Sequence, residues 1–186
     1  MTCPDPAGDP PAIDPADPSV AALAVAYGRQ VFHVAHRLLG NSSQAEDVQQ
    51  EVFLRLLEKP PAEVASWPAY LSAMATRISI DHLRRHTRWR RLLPIWVASA
   101  PQDSDSAELH ATEAQQAGRL RIALSWLKPR DATCFSLRYL QGCEIPEIAA
   151  SLGMSRNHVS VCLHRAQRAL EAKLGDSRRF KEEPRS

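Results

Sequence analysis

The chain is 186 residues long and 44% hydrophobic, which allows one domain of ordinary size or two small ones with packed cores. Its 23 Lys and Arg offset 21 Asp and Glu to a formal net charge of +2, so bulk charge selects no class of partner and a nucleic-acid signal has to come from local clusters. No apolar run approaches the roughly 18–20 residues of a membrane span, and the start, "MTCPDPAGDPPAIDPADP", lacks the basic end and apolar run of a signal peptide, so a cytoplasmic chain without membrane insertion is expected.

In chain order, residues 1–18, rich in Pro, Asp and Ala, read as a disordered tail. "VAALAVAYGRQVFHVAHRLLG" then puts Leu23, Tyr27, Val31, Val34, Ala35 and Leu38 on one helical stripe, with Gly40-Asn41 as its stop. The next run, "SSQAEDVQQEVFLRLLEK", has Ser43 three residues before Glu46, the spacing of a capping box. Its apolar face is Val48, Val52 and Leu56, with Phe53 beside it. Pro60-Pro61 ends that helix in the short loop "PPAEVASW". A third helix, "PAYLSAMATRISIDHLRRHTRWRR", starts with Pro68 in its first turn, runs through Leu71, Met74, Ile78 and Leu83, and ends strongly basic.

Residues 93–112 are expected to be a linker, because "LPIWVASAPQDSDS" is Pro, Ser and Asp interrupted by one apolar patch. Helical periodicity resumes in "AELHATEAQQAGRLRIALSWLKPRDATCFSLRYLQG", with a break at Lys128-Pro129 and a stop at Gly142. "EIPEIAASLGMSRNHVSVCLHRAQRAL" completes a second domain over residues 113–175, and 176–186 form a second disordered tail. Nothing alternates with a period of two and no internal repeat is present. The predicted fold class is all-α: an N-terminal domain of three to four helices over residues 19–92 and a C-terminal helical domain, joined by a flexible linker.

The four cysteines, Cys3, Cys134, Cys143 and Cys162, show no CxxC pairing and no metal-finger spacing. They read as small buried hydrophobes; the alternative is a redox or metal-sensing role that draws on Cys134, Cys143 and Cys162 with His158 or His164. No cofactor and no metal site are expected.

The stretch from Glu144 to Leu170 is written as two helices around a tight turn. Ile145, Ile148, Ala149 and Leu152 line one face of the first, and Gly153 stands where the turn needs a positive φ. Ser155 is placed to cap the next helix, whose buried stripe is Val159, Leu163, Ala166 and Leu170. Arg156, Asn157, His158, Ser160 and Val161 then fall on the outward N-terminal part, where helix-turn-helix proteins meet base edges in the major groove, while Arg165 and Arg168 suit phosphates. A plain helical hairpin with a solvated basic face is the blander alternative; the small Ala149 and Gly153 at the crossing favour helix-turn-helix. A repressor, a response-regulator output domain and a sigma factor all fit this stretch alone.

The first domain separates them. "AEDVQQEVFLRLLE" places Glu46, Asp47, Gln50 and Glu51 outside a helix with an apolar opposite face, which by composition alone is a solvated acidic surface. "SIDHLRRHTRWRR" holds five arginines, two histidines and a tryptophan against the single Asp81. Arginines bind phosphates and aromatic rings stack on unpaired bases, and Trp67 and Tyr70 lie just upstream.

Three ordered stretches, "AEDVQQEVFLRLL", "WPAYLSAMATRISIDHLRR" and "EIPEIAASLGMSRNHVSVCLHRAQRAL", resemble a small two-domain sigma factor of bacterial RNA polymerase, of the extracytoplasmic-function group in the sigma-70 family. The resemblance covers roughly Val20 to Leu174. The middle stretch, with its "IDHLRR" end, is similar to the iron-starvation, ferric-citrate-type branch, which implies iron-uptake or envelope-stress promoters as targets. The resemblance also implies core RNA polymerase and promoter DNA as partners, with an anti-sigma factor or membrane-linked sigma regulator controlling the chain.

By that resemblance Glu46, Asp47, Gln50 and Glu51 dock on the coiled-coil clamp helices of the largest polymerase subunit. Trp67, Arg77, Asp81, His82, Arg84, Arg85 and Arg88 engage the −10 element, and the loop Glu63 to Trp67 receives a base flipped from the melted strand. Ser155, Arg156, Asn157, His158, Ser160, Val161, Arg165 and Arg168 read the −35 element. Where many relatives carry a polar Asn, this chain has Arg77. The first rival is a stand-alone helix-turn-helix regulator, dimeric on a palindrome. An enzyme is not expected: no Gly-rich phosphate loop, HExxH or nucleophile elbow is present.

Overall fold

The structure, a computed structural model, describes residues 19–92 and 108–179, and among them all regular structure is helical. Helix α1 (Val20–Leu39) is capped by Ser19, whose hydroxyl accepts the Ala22 N–H at 3.2 Å. It closes at Gly40, where φ is 68° and glycine avoids the Cβ strain of the left-handed region. Helix α2 (Ser42–Glu58) is capped by Asn41, whose side chain accepts the Gln44 N–H at 2.9 Å. The expected Ser43–Glu46 box is therefore not the cap. Asn41 has the extended backbone a cap requires and captures the donor three residues on, leaving Ser43 inside the first turn.

Helix α3 (Trp67–Leu92) carries Pro68 at its second residue. Its Leu71, Ala75 and Ile78 pack with Val31, Ala35, Val48, Val52 and Leu56 of α1 and α2 in the first core. The predicted stripes of α1 and α2 are buried as expected, Tyr27 and Phe53 only partly.

Helix α4 (Glu108–Trp126) starts inside the span expected to be linker; residues 93–107, the expected tail 1–18 and residues 180–186 of the expected tail 176–186 lie outside the described residues, whereas residues 176–179 of that tail belong to the last helix instead. Helix α5 (Pro129–Phe135) begins with Pro129 as its first residue and runs into a π-helical turn, Ser136–Leu140, in which the Gln141 N–H donates to the Ser136 carbonyl at 3.1 Å. Helix α6 (Ile145–Leu152) opens on a reciprocal box in which the Glu147 carboxylate accepts the Glu144 N–H at 2.7 Å. Gly153, at φ 60°, turns the chain into α7 (Arg156–Arg179).

The two helical sets do not stand apart. A second core joins Leu38 and Ile80 to Ala123, Leu124, Leu127, Ala132, Ala166 and Leu170, and a third buries Ala73 with Cys134, Leu137, Ile148, Val159 and Cys162. Helix α3 is thus buried on two sides. Leu71, Ala75 and Ile78 face α1 and α2, and the opposite stripe of Ala73 and Ile80 faces the second set. Replacing Ile80, 1% exposed, by Ala costs about 2–5 kcal/mol. The hydroxyls of Thr76 and Ser79, also on α3, are buried without a partner, each at a cost of about 1–3 kcal/mol.

Candidate nucleic-acid interface

Helix α7 presents the first basic surface. Val159, Cys162, Leu163, Ala166 and Leu170 are buried, which turns Arg156, Asn157, Ser160, Val161, Arg165 and Arg168 outward, Val161 at 42% exposure. The Ser155 hydroxyl accepts the His158 N–H at 3.2 Å and so holds the N-terminal turn that would enter a groove. The Ser160 hydroxyl instead donates to the Arg156 carbonyl at 3.1 Å. Arg165 leans back toward α5, its Nε 3.9 Å from the buried Asp131 carboxylate. His158 is half-buried and faces a cleft rather than open solvent.

The second basic surface is the end of α3, where Arg85, His86, Arg88 and Trp89 are exposed, Trp89 at 65%. The other residues expected to meet the −10 element are placed differently. Trp67 is half-buried against the first core, edge-on to Tyr70 with ring centroids 6.0 Å apart. His82 sits 3.2 Å from the Glu51 carboxylate, which also accepts from Arg55. Arg84 donates to the Ser125 and Leu127 carbonyls at the end of α4. Arg77 and Asp81 line a cleft of about 570 Å³ with Arg130, Thr133, Ser155 and His158.

The third surface is the outer face of α2. Glu46, Asp47 and Gln50 are exposed, and Leu54 and Leu57 stand beside them at 57% and 64% exposure. A solvated helix face rarely keeps two leucines this open next to carboxylates; a docking face does. Neither leucine belongs to the expected site, although "LRLL" carries more leucines than the Val48–Val52–Leu56 stripe can bury. In the sequence Trp89 is only one aromatic within the basic run.

Cys134 and Cys162 are fully buried in the third core and Cys143 partly so. Burial pushes the Cys134 thiol up to about 12, with Cys162 and Asp131 adding to it, which leaves it an inert proton-bearing hydrophobe. Among the described residues no group of three or more His, Cys, Asp or Glu is arranged to hold a metal ion. No described helix is long and apolar enough to cross a membrane.

These surfaces coincide with two family matches: Sigma-70 region 2 over residues 23–89 and Sigma-70, region 4 over residues 118–170. The chain is 28% identical over 155 residues to the ECF RNA polymerase sigma factor SigE of Mycolicibacterium smegmatis, covering 82% of this chain and 60% of that one. It is 26% identical over 156 residues to BldN of Streptomyces coelicolor, covering 82% of this chain and 59% of that one. It therefore spans only about three-fifths of the length of these relatives. Against SigL of Mycobacterium tuberculosis it is 31% identical over 159 residues, 82% of this chain and 87% of the relative. With both regions matched in order and SigL covered over most of its length, the chain belongs to the extracytoplasmic-function (ECF) sigma factors of the sigma-70 family.

Proposed function

We propose that the chain is the promoter-recognition subunit of a bacterial RNA polymerase and directs transcription initiation in the cytoplasm without bond chemistry of its own. The outward face of α7 reads the −35 element and Arg168 anchors on phosphates. Arg85, Arg88 and Trp89 at the end of α3 hold the −10 strand by phosphate contact and stacking. The face of Glu46, Asp47 and Gln50 docks on a basic surface of core polymerase, with Leu54 and Leu57 supplying apolar contact. Glu51 has a different part: its contact with His82 ties the docking helix to the −10 helix, while its pair with Arg55 stays within α2.

One observation carries this reading. A chain with two basic surfaces also exposes an acidic face that includes two open leucines. A stand-alone regulator has no use for that third face. The pattern "IDHLRR" supports iron-uptake promoters as the targets, and an anti-sigma regulator is the partner expected to hold the chain inactive.

The test is a gel shift on a promoter selected in vitro, with and without core polymerase. Specific binding is expected only with core enzyme, and run-off transcription on iron-uptake promoters then tests the regulon. Tight, specific binding by the chain alone would make it an independent helix-turn-helix regulator.

A further inference from the structure

We propose that the cleft lined by Arg77 and Arg130 is a binding site for a small phosphorylated molecule of the nucleoside phosphate class. Promoter recognition as described above leaves Arg77, Asp81, Arg130 and the His158 ring without a part.

Unspent charge marks the cleft. Other arginines at the helix contacts have acceptors: Arg84 the Ser125 and Leu127 carbonyls, Arg121 the Leu38 carbonyl, Arg138 the Glu144 carboxylate. Arg77 and Arg130 have none among the described residues, and the His158 ring makes no bond there either. Two fixed positive charges and an imidazole thus share a space of about 570 Å³ with one carboxylate, that of Asp81. Small-molecule sites run from roughly 300 to 1,000 Å³. Like charges gathered around one space repel, and an anion among them relieves that repulsion.

The rest of the lining narrows the anion. A guanidinium fork matches paired phosphate oxygens. Gly153, Met154 and Ser155 of the cleft lead into the 24-residue helix α7, whose first N–H groups have no acceptor within the helix. The Ser155 hydroxyl takes the His158 N–H at 3.2 Å, which leaves those of Arg156 and Asn157 at the positive end of the dipole, an arrangement that suits phosphate. The Asp81 carboxylate repels a bare anion but accepts from hydroxyls such as those of a ribose. Leu152 and Met154, both half-buried, form an apolar wall with Pro129 against which a base can lie. Phosphate, hydroxyls and a flat apolar ring on one small molecule describe a nucleoside phosphate.

The test titrates the purified full chain by isothermal calorimetry with ATP and GTP, and with their two halves, the nucleoside and pyrophosphate. At least one nucleotide should saturate a single site with a Kd below about 1 mM and raise Tm with its concentration. Nucleoside and pyrophosphate should each bind at least about tenfold more weakly. Arg77→Ala and Arg130→Ala, both at exposed positions, should each weaken nucleotide binding about tenfold or more, as loss of a charged hydrogen bond does. Arg119→Ala, at an exposed position of α4 outside the cleft, should leave it unchanged. Saturation by neither nucleotide overturns the site, as does an equal loss in all three variants. Pyrophosphate or nucleoside binding as tightly as the nucleotide overturns the ligand class. Displacement of the nucleotide by a short single-stranded DNA that binds more tightly makes the cleft a contact for DNA phosphates and overturns the proposal. None of these titrations contains polymerase or a promoter, so their failure leaves the sigma assignment intact.

Discussion

Ser155 separates stability from DNA contact within one residue. Its hydroxyl caps α7 by accepting the His158 N–H at 3.2 Å, and its side chain stands at the mouth of the groove-entering turn. Ser155→Ala removes the cap at about 1 kcal/mol, which for a chain of this size lowers Tm by about 2–4 °C. Ser155→Asp keeps a cap, since Asp serves as well as Ser, and its charge gains about 0.3–1 kcal/mol from the helix dipole. The same carboxylate faces phosphates, so holoenzyme affinity for a promoter carrying its −35 element should fall at least about tenfold, or ~1.4 kcal/mol. Thermal melts by circular dichroism and anisotropy titrations of the holoenzyme read the two effects apart. The alanine variant should melt early and bind nearly normally once folded, and the aspartate variant should do the reverse. An early-melting Ser155→Asp refutes the cap, and a Ser155→Asp that binds promoter normally refutes the placement of α7 on DNA.

Asp47→Lys, at an exposed position, should weaken core polymerase binding at least about tenfold, ~1.4 kcal/mol, in a pull-down titration with the fold intact; an unchanged Kd removes α2 from the docking surface. Glu51 is the poorer test, because its loss also frees Arg55 and His82. Arg88→Ala should reduce the slope of log K against log salt for holoenzyme on promoter by about 0.7–0.9, the signature of one lost phosphate contact. Trp89→Ala should cost about 1–3 kcal/mol on a pre-melted −10 strand and little on duplex; equal losses on both would assign Trp89 to packing. Burial raises the Cys134 thiol from 9.0 to about 12, so the folded chain keeps a proton that the unfolded chain releases. That stability is complete below pH 9 and is lost as pH climbs toward 12. Urea midpoints above pH 9 should therefore fall less steeply in Cys134→Ala than in the wild type, and parallel slopes would rule the thiol out.

Elements with one buried face are readable from their own residues. The α7 stripe Val159, Leu163, Ala166, Leu170 and the turn glycine Gly153 stand where periodicity and turn chemistry put them. The cap of α2 falls on Asn41 instead of Ser43, since both are competent caps and only backbone geometry chooses. Helix α3 defeats the pattern because it is buried twice. Ala73 and Ile80 form a second inward face, and Arg84, four residues beyond Ile80, donates to the end of α4 although it reads as a DNA contact when viewed alone. No local signal marks the π-helical turn, in which the Gln141 N–H reaches the Ser136 carbonyl. Whether Leu54 and Leu57 are open or covered is likewise a property of the assembled helices and not of their own segment.

The central claim is that this chain selects promoters only as part of polymerase. Run-off transcription with core enzyme on a promoter selected in vitro, compared with core alone and with holoenzyme carrying Asp47→Lys, tests it most directly. A discrete transcript that needs the chain and is lost with Asp47→Lys is the predicted result. A transcript independent of the chain, or unaffected by the reversed charge on α2, would contradict the account.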